Sequence, residues 1–437
     1  MIDAAAARPR SVTDLPKAHL HLHFTGSMRV ATVRELAAQH GIRLPSSLTT
    51  DWPPRFDTAD ARGWFRFQRL YDAARACVRG EADMRRIVRE AALDDGAEGS
   101  RWLEIQVDPT SYAPFVGGIT PALEIVLDEA RSVSAQPGAA GVGVIVAASR
   151  MRHPLEANTL ARLAARYAGS GPGEVVGFGL SNDERRGVTE EFAHAFAIAR
   201  RAGLMLVPHA GELLGASAVE ETLDAIAPDR LGHGVRSVED PRVLERVVRE
   251  GVALEVCPLS NVSLGVYDVA QEVPLRVLVD AGARVALGAD DPLIFGSRLA
   301  DQYATARGDH GFGDVELAAL ARSSLAASRA PSDVVAAAER DITAWLGDAE
   351  PGANSDAKAR ASSDAEAEAS SDADSDADPA GRARPESPYG YPVRAGPDAS
   401  SGEPPALAVH TRGTSAARST GPVPTWPGAR AARTMEA

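Results

Sequence analysis

The chain has 437 residues, with 46 Lys and Arg against 60 Asp and Glu, and a formal net charge of −14. That balance argues against a polyanion as the main partner, because nucleic acid is bound by basic surfaces. Its two cysteines, Cys77 and Cys257, exclude a disulfide framework. With no leader-like start and no apolar run near about eighteen residues, the sequence reads as soluble and cytoplasmic.

The first predicted strand is Lys17–His23, which ends in the run His19-Leu20-His21-Leu22-His23. Alternate side chains of a strand share a face, so His21 and His23 point the same way and can grip one metal ion. By the same alternation His19 is placed one layer deeper on that face. A helix follows over Met28–His40, with Ser27 as N-cap and Gly41 as its stop. Next comes Trp64-Phe-Arg-Phe67 with Leu70 and Tyr71, readable as helix packing or as an aromatic lid. Further strands are predicted at Arg101–Val107, Val142–Ala147, Val175–Leu180, Met205–His209, Arg230–Gly232, Ala253–Cys257 and Val285–Gly288. The intervening helical patterns are Glu81–Asp95, Pro121–Ser134, Asn158–Ala168, Glu190–Ala202, Ala218–Ile226, Pro241–Arg249 and Pro274–Ala281.

Such an alternation of strands and helices predicts an α/β fold, a closed parallel (β/α)8 TIM barrel over 12–347. The competing topology is an open doubly wound sheet, but no Gly-rich phosphate loop follows the first strand. From residue 348 the composition shifts to Ser-Asp-Ala repeats and then to Pro, Gly and Arg. Such a segment buries too little apolar surface to offset its ordering entropy, so 348–437 reads as a disordered low-complexity tail.

A barrel collects its strand ends on one rim, where the chemistry of such folds resides. Four motifs fall there beside the histidine run: Pro208-His-Ala-Gly-Glu212, Leu231-Gly-His-Gly234, Cys257-Pro-Leu-Ser-Asn261 and Leu287-Gly-Ala-Asp-Asp-Pro292. His21, His23, His209, His233 and Asp290 are thereby brought into one pocket. Histidines with a carboxylate suit Zn²⁺ with an open position; an all-oxygen Mg²⁺ or Ca²⁺ set does not match.

In this order the motifs resemble those of the adenosine deaminase family, over roughly residues 14 to 346. The resemblance implies deamination of a 6-aminopurine by one Zn²⁺ per chain. It implies His21, His23, His209 and Asp290 as metal ligands. It makes Glu212 the acid that protonates purine N1, His233 the group that orients water and takes its proton, and Asp291 the partner of N7. Asn182 replaces a family glycine whose backbone N–H meets N3; its side chain is expected to narrow the pocket. Ser260 and Asn261 are assigned to the site or to bracing its loop. The strand Val175–Leu180 contains no Lys, so the bridging carboxylated lysine of binuclear relatives is absent.

The partner implied is a small purine nucleoside, with neither nucleic acid nor membrane. Thr25 stands where the family has an Asp for the ribose 5′-hydroxyl, and His19 where it has a carboxylate. The substrates to weigh are therefore adenosine or deoxyadenosine, a 5′-extended nucleoside such as aminodeoxyfutalosine of menaquinone synthesis, and adenine itself. A reading of another class is a catalytically inactive nucleoside-binding barrel.

Overall fold

The computed structural model describes residues 9–56 and 61–347. The expected tail, 348–437, lies outside the described residues. The strands are β1 (Lys17–His23), β2 (Ser100–Val107), β3 (Gly141–Ser149), β4 (Val175–Ser181), β5 (Met205–Ala210), β6 (Arg230–His233), β7 (Ala253–Val256) and β8 (Arg284–Leu287). They form one 8-stranded sheet in sequence order, each strand parallel to the next. The ring closes just beyond β8. Asp290 N–H donates to His21 O and His23 N–H donates to Asp290 O, both at 3.0 Å. This is the predicted (β/α)8 barrel.

The side-chain period of two explains how each strand serves both layers. Leu103, Ile105 and Val107 of β2 join the core packed under the helices. Glu104, between them, reaches across the barrel interior to Arg230 of β6. The same logic holds for β7, where Leu254 and Val256 alternate with Glu255.

The predicted helices are present with shifted ends, and one cap is misplaced. The first helix is Val30–Gln39, with Arg29 rather than Ser27 at its N-cap. Ser27 Oγ instead donates to Phe24 O at 2.9 Å, so the hydroxyl serves the preceding turn. Gly41 sits at φ +65°, the left-handed position expected of a stop. The aromatic segment lies in a helix, Ala61–Arg75, and further helices follow β8, among them Leu299–Gly308, Asp314–Ala326 and Ser332–Gly347. Asp314–Ala326 packs on β8 and β1. Its Ser324 Oγ accepts from Ala18 N–H at 2.9 Å, so this helix covers the seam where first and last strands meet. Ser332–Gly347 buries Ala338, Ile342 and Trp345, and Trp345 Nε1 donates to Ser11 O at 3.0 Å. No helix among the described residues is long and apolar enough to cross a membrane.

A chain ended after Gly347 is expected to melt within about 2 °C of the full-length protein, whereas one ended after Ala330 loses a buried Trp and Ile and melts several degrees lower. Thermal unfolding of the three chains checks this; a large drop for the first would show that the tail stabilises the barrel.

Candidate active site

The strand ends bring the expected side chains together. The His21 ring centroid lies 5.1 Å from that of His23, 4.7 Å from His209 and 4.8 Å from His233. His23 Nε2 is 3.3 Å from His209 Nε2 and 3.3 Å from Asp290 Oδ1. His21 Nε2 is 3.7 Å from the same oxygen and is buried without a hydrogen-bond partner. Ligands bound tetrahedrally at about 2.0–2.1 Å lie about 3.3 Å apart, so these edges fit a zinc-sized ion. His233 Nε2 sits 3.5 Å from Glu212 Oε1 and 3.9 Å from Asp290 Oδ2. Cys257 also lies within reach of His233 and Asp290. Burial pushes its thiol well above the usual range, which keeps it neutral.

This convergence is held in strained backbone. Of the non-glycine residues described at positive φ, Asn182 (82°), His233 (65°) and Asp290 (61°) all belong to the site. Left-handed conformations disfavour side chains with a Cβ and persist where packing over-determines them. Two glycines make room. A Cβ on Gly232 would come within 3.0 Å of the His209 and His21 rings, and one on Gly26 within 1.8 Å of Asp291 Oδ1.

Behind His21 runs a fully buried chain of charge that the sequence reading missed. His21 Nδ1 meets Glu255 Oε2 at 2.8 Å. Arg230 Nε donates to Glu255 Oε1 at 2.6 Å, and its Nη2 to Glu104 Oε2 at 2.5 Å. A carboxylate at Nδ1 fixes the tautomer and leaves the Nε2 lone pair facing the cluster. Burial alone would raise the Glu255 carboxyl; Arg230 and His21 hold it below its usual value. The signal was present as single charges inside the apolar runs Leu103-Glu-Ile105 and Leu254-Glu-Val256.

His19 departs from its expected place. β1 is irregular between His19 and Leu22, so strict alternation breaks there. His19 Nδ1 lies 2.9 Å from Asp95 Oδ2 on the helix Glu81–Ala97, and its Nε2 accepts from Ala289 N–H at 3.0 Å. It joins none of the metal-capable groups among the described residues.

Glu212 is pinned from below. Glu184 Oε2 accepts the backbone N–H groups of Glu212 (3.0 Å), Leu213 (2.5 Å) and Leu214 (3.0 Å). Burial pushes the Glu212 carboxyl well above its usual range, and the negative fields of Asp290 and Glu184 add to that. Burial, then Asp290, does the same to Asp291. Asp290 itself is held low: burial opposes ionisation, but His23, His21 and His233 overcome it. Burial, with His21 beside it, lowers His233 to about 3. A divalent cation in the cluster would draw all these values down.

These groups line a cavity of about 370 Å³ that extends from His209, Glu212 and Asp291 to Thr25, Tyr112 and Phe65. Thr25 Oγ1 is 2.6 Å from Tyr112 Oη. Asn182 folds its amide back, Oδ1 accepting from Asp183 N–H at 2.8 Å, while also lining the cavity. Asn tolerates the left-handed backbone that the family glycine position demands. Ser260 Oγ donates to Cys257 O at 3.1 Å, the bracing role; the buried Asn261 amide has no partner. The aromatic segment is packing and wall at once. Trp64 lies 5.0 Å from Phe67, which stacks on Phe295 at 5.7 Å, while Phe65 is 62% exposed at the cavity mouth.

Together, fold and site are those of a barrel hydrolase with a metal-capable cluster at its strand ends. The adenosine deaminase family model matches residues 16–345. The chain is 59% identical over 337 residues to a Streptomyces virginiae protein provisionally named adenosine/adenine deaminase, covering 77% of this chain and 98% of that one. It is 33% identical over 336 residues to an Agrobacterium fabrum adenine deaminase, covering 77% and 99%. The crystal structure of an Arthrobacter aurescens adenine deaminase superposes with a TM-score of 0.69 at 30% identity, covering 76% and 99%. The chain belongs to the adenosine deaminase family, hydrolases acting on C–N bonds of cyclic amidines.

Glu255→Gln is expected to weaken divalent-metal binding by about 10–100-fold while the barrel stays folded. Zinc competition against a chelating dye measures this; unchanged affinity would mean that Glu255 does not orient His21.

Proposed function

We propose that this chain hydrolyses the exocyclic amine of a 6-aminopurine nucleoside, releasing ammonia, with one Zn²⁺. The observation that carries this reading is the buried Glu212 carboxyl 3.5 Å from the His233 imidazole at the edge of the His/Asp cluster, with burial shifting the carboxyl up and the imidazole down. His21, His23, His209 and Asp290 would hold the ion. When bound, Zn²⁺ lowers the pKa of water to about 7 and so supplies a nucleophile at neutral pH.

The chain's own groups supply the rest. Glu212 delivers its proton to N1, which draws electron density from the ring as water adds at C6. His233, kept neutral by burial, takes the proton from the attacking water and passes it towards the departing amine. Asp291 holds a proton to donate to N7, and the Asn182 turn presents backbone to N3. Water adds, ammonia leaves, and the proton remaining on the C6 hydroxyl returns to Glu212 as the oxo group forms, so the base changes from amino to oxo with no redox step. Trp64 and Phe67 exclude bulk water from this end.

The cavity volume falls in the range for a bound small molecule, about 300–1,000 Å³, and its reach to Thr25 and Phe65 supports a substituent beyond the base. A second reading, a nucleoside with an apolar 5′ extension, is favoured by one feature. Thr25 carries no charge, and its hydroxyl is already engaged by Tyr112.

The purified protein is expected to hold about one zinc per chain, and His21→Ala, His209→Ala or Asp290→Ala each to strip it. Glu212→Gln should keep the metal and lose about 10²–10⁴ in turnover. Metal analysis with an ammonia-release assay covers both; two metals per chain, or a fully active Gln variant, would refute the arrangement. Thr25→Asp is expected to shift kcat/KM towards adenosine over 5′-aryl nucleosides, because the carboxylate accepts from a free 5′-hydroxyl and sits unpaired against an aryl group. A flat ratio in a folded, metal-replete variant would show that Thr25 does not read the sugar end.

A further inference from the structure

We infer that Gln106 is a substrate-binding residue that reads two neighbouring hydroxyls of a ribosyl group; the inference rests on the deaminase reading of the site. Gln106 lies near the end of β2, two residues beyond Glu104, which points into the barrel interior. Alternation therefore turns the Gln106 side chain inward as well, one layer nearer the rim. It is 2% exposed, and it lines the same cavity as His23, Glu212 and Asp291. Neither Nε2 nor Oε1 has a hydrogen-bond partner. Asp291 Oδ1 is in the same condition, buried in the cavity wall and unpaired. Buried polar groups are nearly always satisfied, so a carboxamide with both ends open marks a place where something else completes it.

Its position says what that is. A purine with N1 at Glu212 after β5, N3 at Asn182 after β4 and N7 at Asp291 after β8 turns N9 away from Glu212. N9 then faces the β1–β2 side of the cavity. Gln106 stands on that side, paired in register with His23, and its backbone O accepts from Phe24 N–H at 2.8 Å. Thr25 and Tyr112 are the neighbouring polar groups, and their hydroxyls bond each other at 2.6 Å. On this wall the Gln106 amide is buried with both its donor and its acceptor unused. A carboxamide offers a donor and an acceptor side by side. A vicinal diol matches it, with one hydroxyl donating to Oε1 and the other accepting from Nε2. A free base leaves both ends unpaired.

The test is kcat/KM for adenosine, 2′-deoxyadenosine, 3′-deoxyadenosine and adenine, on wild type and on Gln106→Leu and Gln106→Met. Wild type should favour adenosine over each deoxynucleoside by about tenfold or more, the scale of one hydrogen bond to a site left unpaired by the analogue. In the variants that ratio should fall to near one, with the loss carried mainly in KM. Equal handling of adenosine and both deoxynucleosides by wild type overturns the inference without any variant. Preference for adenine, or discrimination that survives both substitutions, also overturns it. Deamination of none of the four, nor of a 5′-aryl 6-aminopurine nucleoside assayed beside them, would overturn the reading of the site as a 6-aminopurine deaminase, and this inference with it. Deamination without sugar discrimination sinks the role of Gln106 alone.

Discussion

Everything in this structure serves the crowding of His21, His23, His209, His233, Asp290, Asp291 and Glu212 into one buried pocket. Groups that compete for the same protons cannot all carry charge in a low-dielectric site. The arrangement resolves the conflict by division. Asp290, ringed by imidazoles, is shifted towards its ionised form; burial and the charge of Asp290 shift Asp291 and Glu212 towards their protonated forms. Neighbouring carboxyls are thus pushed in opposite directions because their surroundings differ, the kind of separation that acid and base at one place require.

Holding such a pocket costs the fold elsewhere. His233 and Asp290 accept left-handed backbone, Gly232 and Gly26 give up side chains to let rings and a carboxylate close in, and Arg230 sits fully buried between Glu104 and Glu255. A buried charge triad of this kind is weak evidence for stability. Its sense lies in direction: each member has its geometry set by the next, and the last member orients His21. Glu184 plays the matching part under Glu212 by gathering consecutive backbone N–H groups.

The barrel was legible because strand runs, helical periods and motif spacing agreed. The cluster was legible because every member stands at a strand end. What escaped had physical reasons. His19 was placed one layer below His21 on the same face because alternation assumes a regular strand, and β1 is not regular there; it sits in the core against Asp95. Ser27 looked like a cap, but its hydroxyl had a nearer carbonyl. Glu104, Glu255 and Gln106 were hidden in plain alternation. A single polar residue inside an apolar run belongs to no motif, yet in a closed barrel its face is the interior. Asn182 stands at φ 82° with its Oδ1 turned to Asp183 N–H, and it still lines the cavity.

Asp290 has a double position. Its backbone makes the hydrogen bonds that join the end of β8 to β1, and its side chain faces the histidines. The ring is therefore fastened at the point where the cluster is assembled. A cation bridging His21 and His23 of β1 to Asp290 and to His209 of β5 would act as a clasp on the closed ring. Opening that seam would dismantle the cluster and expose β1 and β8 as free edges. Since a ligand that binds only the folded form stabilises it in proportion to the logarithm of its concentration, the integrity of the barrel would follow metal supply, and starvation for the ion would act on the amount of folded protein before it acted on rate.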